Sequence, residues 1–315
     1  MNRTFYHYTS PQGIFGILKE NALWFTDCQY LNDMTEFLYL REPLKEAYSK
    51  IISERGEKKD DIDNFIDSFF DSPYETTDWN WNRGKKGFRK LSKIPSFRYY
   101  VLCVSKNPDT ANMWNYYVKD GAYRGYNLGL DGEMIKIWFK AFSKTNNKVQ
   151  LVENEVIYDR RHQVDIIYKK LKELIDEFDK RIDLLDEDGY DAPAIDAFQG
   201  DLLEYIDEQK LFFKNPAFKS EEEYRFVLKV HNDFNEDIDE NNNSLSVKYR
   251  VGTSGIITPY IEWHFDVKNK SDLLKQITLS PMMEPELAKE SFKRFLADGV
   301  YRNIRIEQSS IKLRF

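Results

Sequence analysis

The run Tyr99-Tyr100-Val101-Leu102-Cys103-Val104-Ser105 most limits what this chain can fold into. It is short, continuous and rich in β-branched and aromatic side chains, which reads as a buried strand. Asn107-Pro108-Asp109-Thr110 breaks it. A short helix through Met113, Trp114 and Tyr117 should follow, then a turn at Asp120-Gly121 and a strand from Gly125 to Asp131. A strand of this kind needs packed layers around it, and the rest of the chain supplies both kinds.

Ser10-Pro11 marks a helix start, with Ser as N-cap and Pro at the first helical position. Ile14, Ile17 and Leu18 then share a helical face to about Glu20. Thr4 to Tyr8 and Ala22 to Phe25 suit short strands on either side. Residues 38–95 read as largely helical or looped. From about Arg160 to Leu185 the apolar positions Val164, Ile167, Leu171, Leu174, Ile175 and Phe178 keep helical spacing. Ala194 to Phe212 forms a second helix, with Gly200 a weak point in it, and the two pair as a hairpin. Strands are expected at Glu223 to Val230, Ser246 to Val251, Gly255 to Phe265, Gln276 to Leu279 and Asn303 to Gln308. A helix runs from near Pro285 to Gly299, and Asn232 to Asn243 is an acidic loop. Strands and separate helices together indicate an α+β fold. No linker sets the helical pair apart, so the expectation is a single domain over 1–315 with an insertion at about 160–212.

The 315 residues are 41% hydrophobic and 15% aromatic, enough for a substantial core. No apolar run reaches eighteen residues and no signal peptide is evident, so the reading is a cytoplasmic protein with no membrane contact. Cys28 and Cys103 show neither a disulfide framework nor zinc spacing. A net charge of −7 lacks the basic excess of a phosphate-contacting nucleic-acid binder. The local patch Arg83 to Lys90 reads as a solvated loop. There is no phosphate loop, GxGxxG, HExxH or GxSxG, and His162, His231 and His264 stand far apart.

Three constellations carry polar chemistry. His7, with Tyr6, Tyr8 and Thr9, sits at a strand end, where an imidazole can bond a ribose hydroxyl and aromatics can stack on a flat ring. A lone histidine is more often a structural hydrogen-bonder, and the residues alone favour that. Glu221, Glu223 and Arg225 are spaced to share one strand face, with Tyr224, Phe226, Leu228 and Val230 on the other. Two carboxylates and a guanidinium can face an electron-poor carbon and an anionic group; a solvated face fits the same spacing. Ser105 with Met113-Trp114-Asn115-Tyr116-Tyr117 and Arg124-Gly125-Tyr126 is either core or the wall of a nicotinamide or adenine site.

Taken in order, these pieces resemble the bacterial family known as domain of unknown function 2971. The resemblance rests on Tyr6-His7-Tyr8-Thr9-Ser10, Leu23-Trp24-Phe25, Leu31-Asn32-Asp33, Ser105, and Met113-Trp114 with Tyr117. It continues through Phe213-Lys214, Pro216, Phe218, Glu221, Glu223-Tyr224-Arg225, Pro259-Tyr260-Ile261, Ile277 to Pro281 and Ser310-Ile311. That family is distantly similar to ADP-ribosyltransferases, which bind NAD in a cleft between two small sheets. The resemblance implies split mixed and antiparallel sheets with a helical insertion. It implies NAD as co-substrate, His7 holding the adenosine ribose, Glu223 as catalytic carboxylate and Glu221 as activator of the acceptor. It extends the NAD-binding set to Tyr8, Thr9, Ser105, Trp114, Tyr117 and Arg225. The implied activity is ADP-ribosylation of a nucleic-acid base or protein side chain, as a toxin of a toxin–antitoxin or antiphage system. An antitoxin protein would be its partner, docking on the helical insertion. The alternatives are a binding module that keeps the fold without the chemistry, and an NAD glycohydrolase.

Overall fold

A computed structural model describes residues 3–31, 39–56, 76–82, 85–91, 97–118, 124–143, 149–182, 192–231, 247–252, 255–264, 273–297, 301 and 303–312. The first half runs β1 (Thr4–Thr9), α1 (Pro11–Glu20), β2 (Ala22–Asp27), α2 (Arg41–Glu54), β3 (Thr76–Asn82), β4 (Lys85–Leu91), β5 (Phe97–Ser105), α3 (Ala111–Tyr117), β6 (Tyr126–Asp131), α4 (Gly132–Ser143) and β7 (Val149–Glu155). The second half runs α5 (Arg160–Ile182), α6 (Ala192–Gln209), β8 (Glu223–His231), β9 (Val247–Val251), β10 (Ile257–His264), β11 (Leu274–Leu279), α7 (Pro285–Phe295) and β12 (Arg305–Gln308). The fold mixes helices with an open sheet that contains parallel and antiparallel pairs.

The chain divides into two compact units. The second unit, Asn32–Ser96 with Val156–Phe218, holds the expected helical pair, and α2 packs on α5 within it. Phe178 and Phe198 meet at 5.1 Å across α5 and α6, and Gly200 does not interrupt α6. Buried Gln163 ties this unit internally, donating to the Lys214 carbonyl at 3.0 Å and accepting from the Tyr39 hydroxyl at 3.0 Å. Residues 76–82 and 85–91, read as helical or looped, instead form the two-stranded ladder β3–β4. Asp78-Trp79-Asn80-Trp81 lies in its first strand, where aromatic side chains suit extended backbone. Most of the basic patch lies in the second strand, so the loop reading is corrected there. The acidic stretch Asn232 to Asn243 and the Asn32-Asp33 pair lie outside the described residues.

The first unit is Met1–Leu31, Phe97–Glu155 and Lys219–Phe315, and its sheet runs in the order β12-β11-β6-β1-β5-β2-β10-β9. β8 lies along β5 from Phe97↔His231 to Ser105↔Glu223, and β7 pairs outside it. The other edge of β5 is shared. β1 touches it at the single position Tyr6↔Ser105, and β2 at Thr26↔Val101 and Asp27↔Tyr100. The sheet therefore forks at β5, with β1 leading to β6 and β11 on one arm and β2 leading to β10 and β9 on the other.

Strand alternation sorts side chains onto two faces. Tyr100, Leu102, Val104, Phe226, Leu228 and Val230 enter the main core, joined by Phe5, Leu128 and Leu130 and by Ile14, Ile17 and Leu18 of α1. Each fully buried aliphatic or aromatic side chain there contributes about 1.5–3 kcal/mol. On the opposite face Tyr8, Met113, Trp114 and Val118 form a small second cluster, with Tyr6, Tyr117 and Ile311 packed on it. The Ser10 cap reads as expected, its hydroxyl accepting from Gly13 N at 3.1 Å. α4 (Gly132–Ser143) and β7 (Val149–Glu155) are elements that no local pattern announces.

Candidate functional site at the sheet fork

His7 stands where β1 leaves β5. Its Nδ1 lies 3.0 Å from the Cys103 carbonyl, and a carbonyl can only accept. Nδ1 therefore carries the proton, which leaves the Nε2 lone pair as an acceptor. Burial lowers the pKa of His7, the Cys103 bond partly offsets this, and the charge of Arg250 lowers it further. The ring is neutral at pH 7.

The start of β8 comes at the same end of β5 from its other edge. Glu221 closes a 3-10 turn, Pro216–Glu221, and Glu222 takes a positive φ of 44°. A non-glycine residue there is strained and persists only when its surroundings hold it. β5 does the holding. Ser105 Oγ donates to the Glu221 carbonyl at 2.7 Å, and Lys106 N donates to the Glu222 carbonyl at 2.8 Å. The kink also corrects the expected alternation: Glu223 and Arg225 share a strand face, but Glu221 belongs to the turn before it. All three are buried, which removes the solvated-face alternative.

Glu223 and Arg225 bind each other. Arg225 Nε donates to Glu223 Oε1 and Nη2 to Oε2, both at 2.9 Å, with each side chain 2% exposed. A bidentate geometry of this kind is the strongest form of the contact. Tyr117 reaches the same place from α3: burial raises its pKa well above the ordinary value, and the Glu223 and Glu221 charges add to that. It remains a phenol.

The remaining expected site residues serve as framework. Ser105 Oγ, besides its bond to Glu221, accepts from Asn107 N at 3.0 Å. The Trp114 indole is fully buried against Tyr8 at 4.8 Å, and its Nε1 donates to Asp109 Oδ1 at 2.7 Å. Tyr8 donates its hydroxyl to the Asn107 carbonyl at 3.1 Å and accepts from Thr110 N at 3.3 Å. Thr9 ends β1, its carbonyl so close to Gly125 that a Cβ there would lie 2.8 Å away. Ser105, Trp114 and Tyr8 thus use these polar groups in bonds within the protein.

The sequence reading gave no role to Asp109, which organises this framework. Burial would raise its pKa, but hydrogen bonds from Trp114, Ser309 and Ser310 outweigh that and hold it below the usual range. Its place in the Asn-Pro-Asp-Thr break was the one signal available.

Residues 113–226 match the model of a family described as a protein of unknown function, DUF2971. The match covers that segment, less than half of the chain. It begins in α3 and ends in β8, so it carries Trp114, Tyr117, Glu221, Glu223 and Arg225, while His7, Tyr8, Thr9 and Ser105 lie before it. No curated protein and no solved structure matches the chain. Among the described residues no group of three His, Cys, Asp or Glu could hold a metal ion, and no helix is long and apolar enough to cross a membrane.

Proposed function

We propose that the protein is an NAD-dependent ADP-ribosyltransferase with a split-sheet fold, acting on a macromolecule inside the bacterial cell as a toxin held by an antitoxin. One observation carries the reading. The sheet forks at β5, with neutral His7 and the Glu221–Glu223 turn arriving at the same strand end from its two edges. His7 Nε2 suits a ribose hydroxyl. Glu223 suits the transition state, because nicotinamide leaves as a neutral group and the remaining demand is a negative charge opposite an oxocarbenium-like carbon. A carboxylate bonded to the 2′-hydroxyl supplies that charge, and losing such a contact costs on the order of 10²–10³ in rate. To act, Glu223 exchanges one Arg225 N–H for that hydroxyl, and Glu221 serves the acceptor.

A second reading has its own support. The bidentate Glu223–Arg225 pair, buried as it is, suits a module that keeps the nucleotide-binding fold and performs no chemistry.

Labelled NAD with cell lysate separates the two. The control carries Glu223→Gln with Arg225→Met, so the carboxylate is lost without stranding a buried guanidinium. Label in RNA, DNA or protein only with the unaltered chain supports transfer and names the acceptor. Free ADP-ribose as sole product points to a glycohydrolase. If neither chain consumes NAD, the binding module replaces the transferase.

A further inference from the structure

Among the described residues, Arg250 is a guanidinium with no carboxylate paired to it. Strand pairing sets it opposite Thr258 on β10, on the face that carries Trp24, Thr26 and Tyr260. Its Nη2 donates to Thr26 Oγ1 at 2.8 Å, and its carbon lies 5.2 Å from the Trp24 ring centroid and 5.3 Å from that of Tyr260. The side chain is half-buried, and burial lowers its pKa. No carboxylate lies within 4.0 Å of it among the described residues. Glu262, the acidic residue of β10, is bound instead by Lys248, by His264 at 3.4 Å and by the Tyr260 hydroxyl at 3.1 Å.

A desolvated charge without a counter-charge costs free energy that a ligand of opposite sign recovers. A second observation points the same way. Trp24 Nε1–H is buried and has no hydrogen-bond acceptor among the described residues. The guanidinium is a donor and a cation, so a ligand that compensates it is an anionic acceptor. The packing around Trp24 is specific, since a Cβ on Gly16 would come within 2.7 Å of the indole. The guanidinium's field also reaches His7, where it helps depress the imidazole.

We infer that Arg250, lying over the adjoining rings of Trp24 and Tyr260, is an anion subsite of the fork that takes the diphosphate of a nucleotide substrate. The assignment rests on the nucleotide reading above for its ligand class. A guanidinium fork matches phosphoryl oxygens in bidentate geometry. A net charge of −7 works against the competing source, a nucleic-acid backbone.

The test titrates inorganic diphosphate, ADP and adenosine into the full chain. Tryptophan fluorescence and calorimetry report binding to the unaltered protein, Arg250→Lys and Arg250→Gln, each first shown to be folded by thermal unfolding. Diphosphate and ADP should bind the unaltered protein and weaken by about 10–100-fold in Arg250→Gln. Arg250→Lys should fall between, and adenosine should respond to neither change. Equal diphosphate affinity in the unaltered protein and Arg250→Gln, or no binding to either, overturns the subsite. Displacement of diphosphate by a single-stranded RNA oligomer at lower concentration than ADP overturns the nucleotide assignment. Arg250-dependent diphosphate binding without NAD consumption keeps the subsite and removes the transferase. NAD consumption indifferent to Arg250→Gln, with no diphosphate binding, removes the subsite alone.

Discussion

Arg225 and Arg250 project from the same face of one forked sheet, and the chain treats them differently. Arg225 is sealed beside Glu223, two residues earlier on its own strand, with a bidentate pair of bonds at 2.9 Å. Arg250 has a hydroxyl and two aromatic rings for company. A closed pair holds a strand start in place and resists change, because removing either partner leaves a buried charge. An uncompensated guanidinium contributes little to the resting fold and has most to gain from a ligand. The first arrangement shapes the fork; the second gives it an unmet demand.

The sharpest way to break this contrast is to cut the closed pair. Glu223→Gln should destabilise the chain by about 3–5 kcal/mol in urea unfolding, with most of that recovered when Arg225→Met is added. Recovery that fails to appear would show that the pair is not the unit described. Next in size is the clamp behind it. Ser105→Ala removes a buried hydroxyl serving the Glu221 carbonyl and Asn107 N, and should cost about 1–3 kcal/mol by the same measurement. By contrast Arg250→Gln should change stability by about 1 kcal/mol or less, since it trades a cation–π contact for relief of a desolvated charge. A loss as large as that of Glu223→Gln would make Arg250 structural.

The smallest effect concerns His7. Its folded pKa lies below the ordinary 6.5, so the unfolded chain takes up a proton first as the pH drops. Its contribution to stability is complete above pH 6.5 and is lost as pH falls through the folded value. In Arg250→Gln the His7 imidazole should titrate closer to its ordinary value by NMR, narrowing that window. An unmoved His7 would separate the two residues.

Local pattern made much of this legible. The buried run at Tyr99 predicted β5, Ser10-Pro11 predicted the start of α1, and the spacing of Glu223 and Arg225 put them on one face. Contacts made by partners distant in sequence stayed hidden. Alternation could not show that Glu223 and Arg225 bind each other, nor that Glu222 resets the pattern and moves Glu221 into a turn. Val247-Lys248-Tyr249-Arg250-Val251 reads as an ordinary exposed strand. Only the pairing of β9 with β10, and of β10 with β2, brings Trp24 under the guanidinium. Ser105 and Trp114 join the NAD-binding set only through the family resemblance, and their hydrogen bonds to the framework are invisible to local pattern.

The most direct measurement is a crystal structure of the chain grown with ADP-ribose. The ligand should lie at the fork, with its diphosphate on Arg250 and a ribose hydroxyl on His7 Nε2. Ligand bound elsewhere on the first unit, with Arg250 and His7 unchanged, would contradict it.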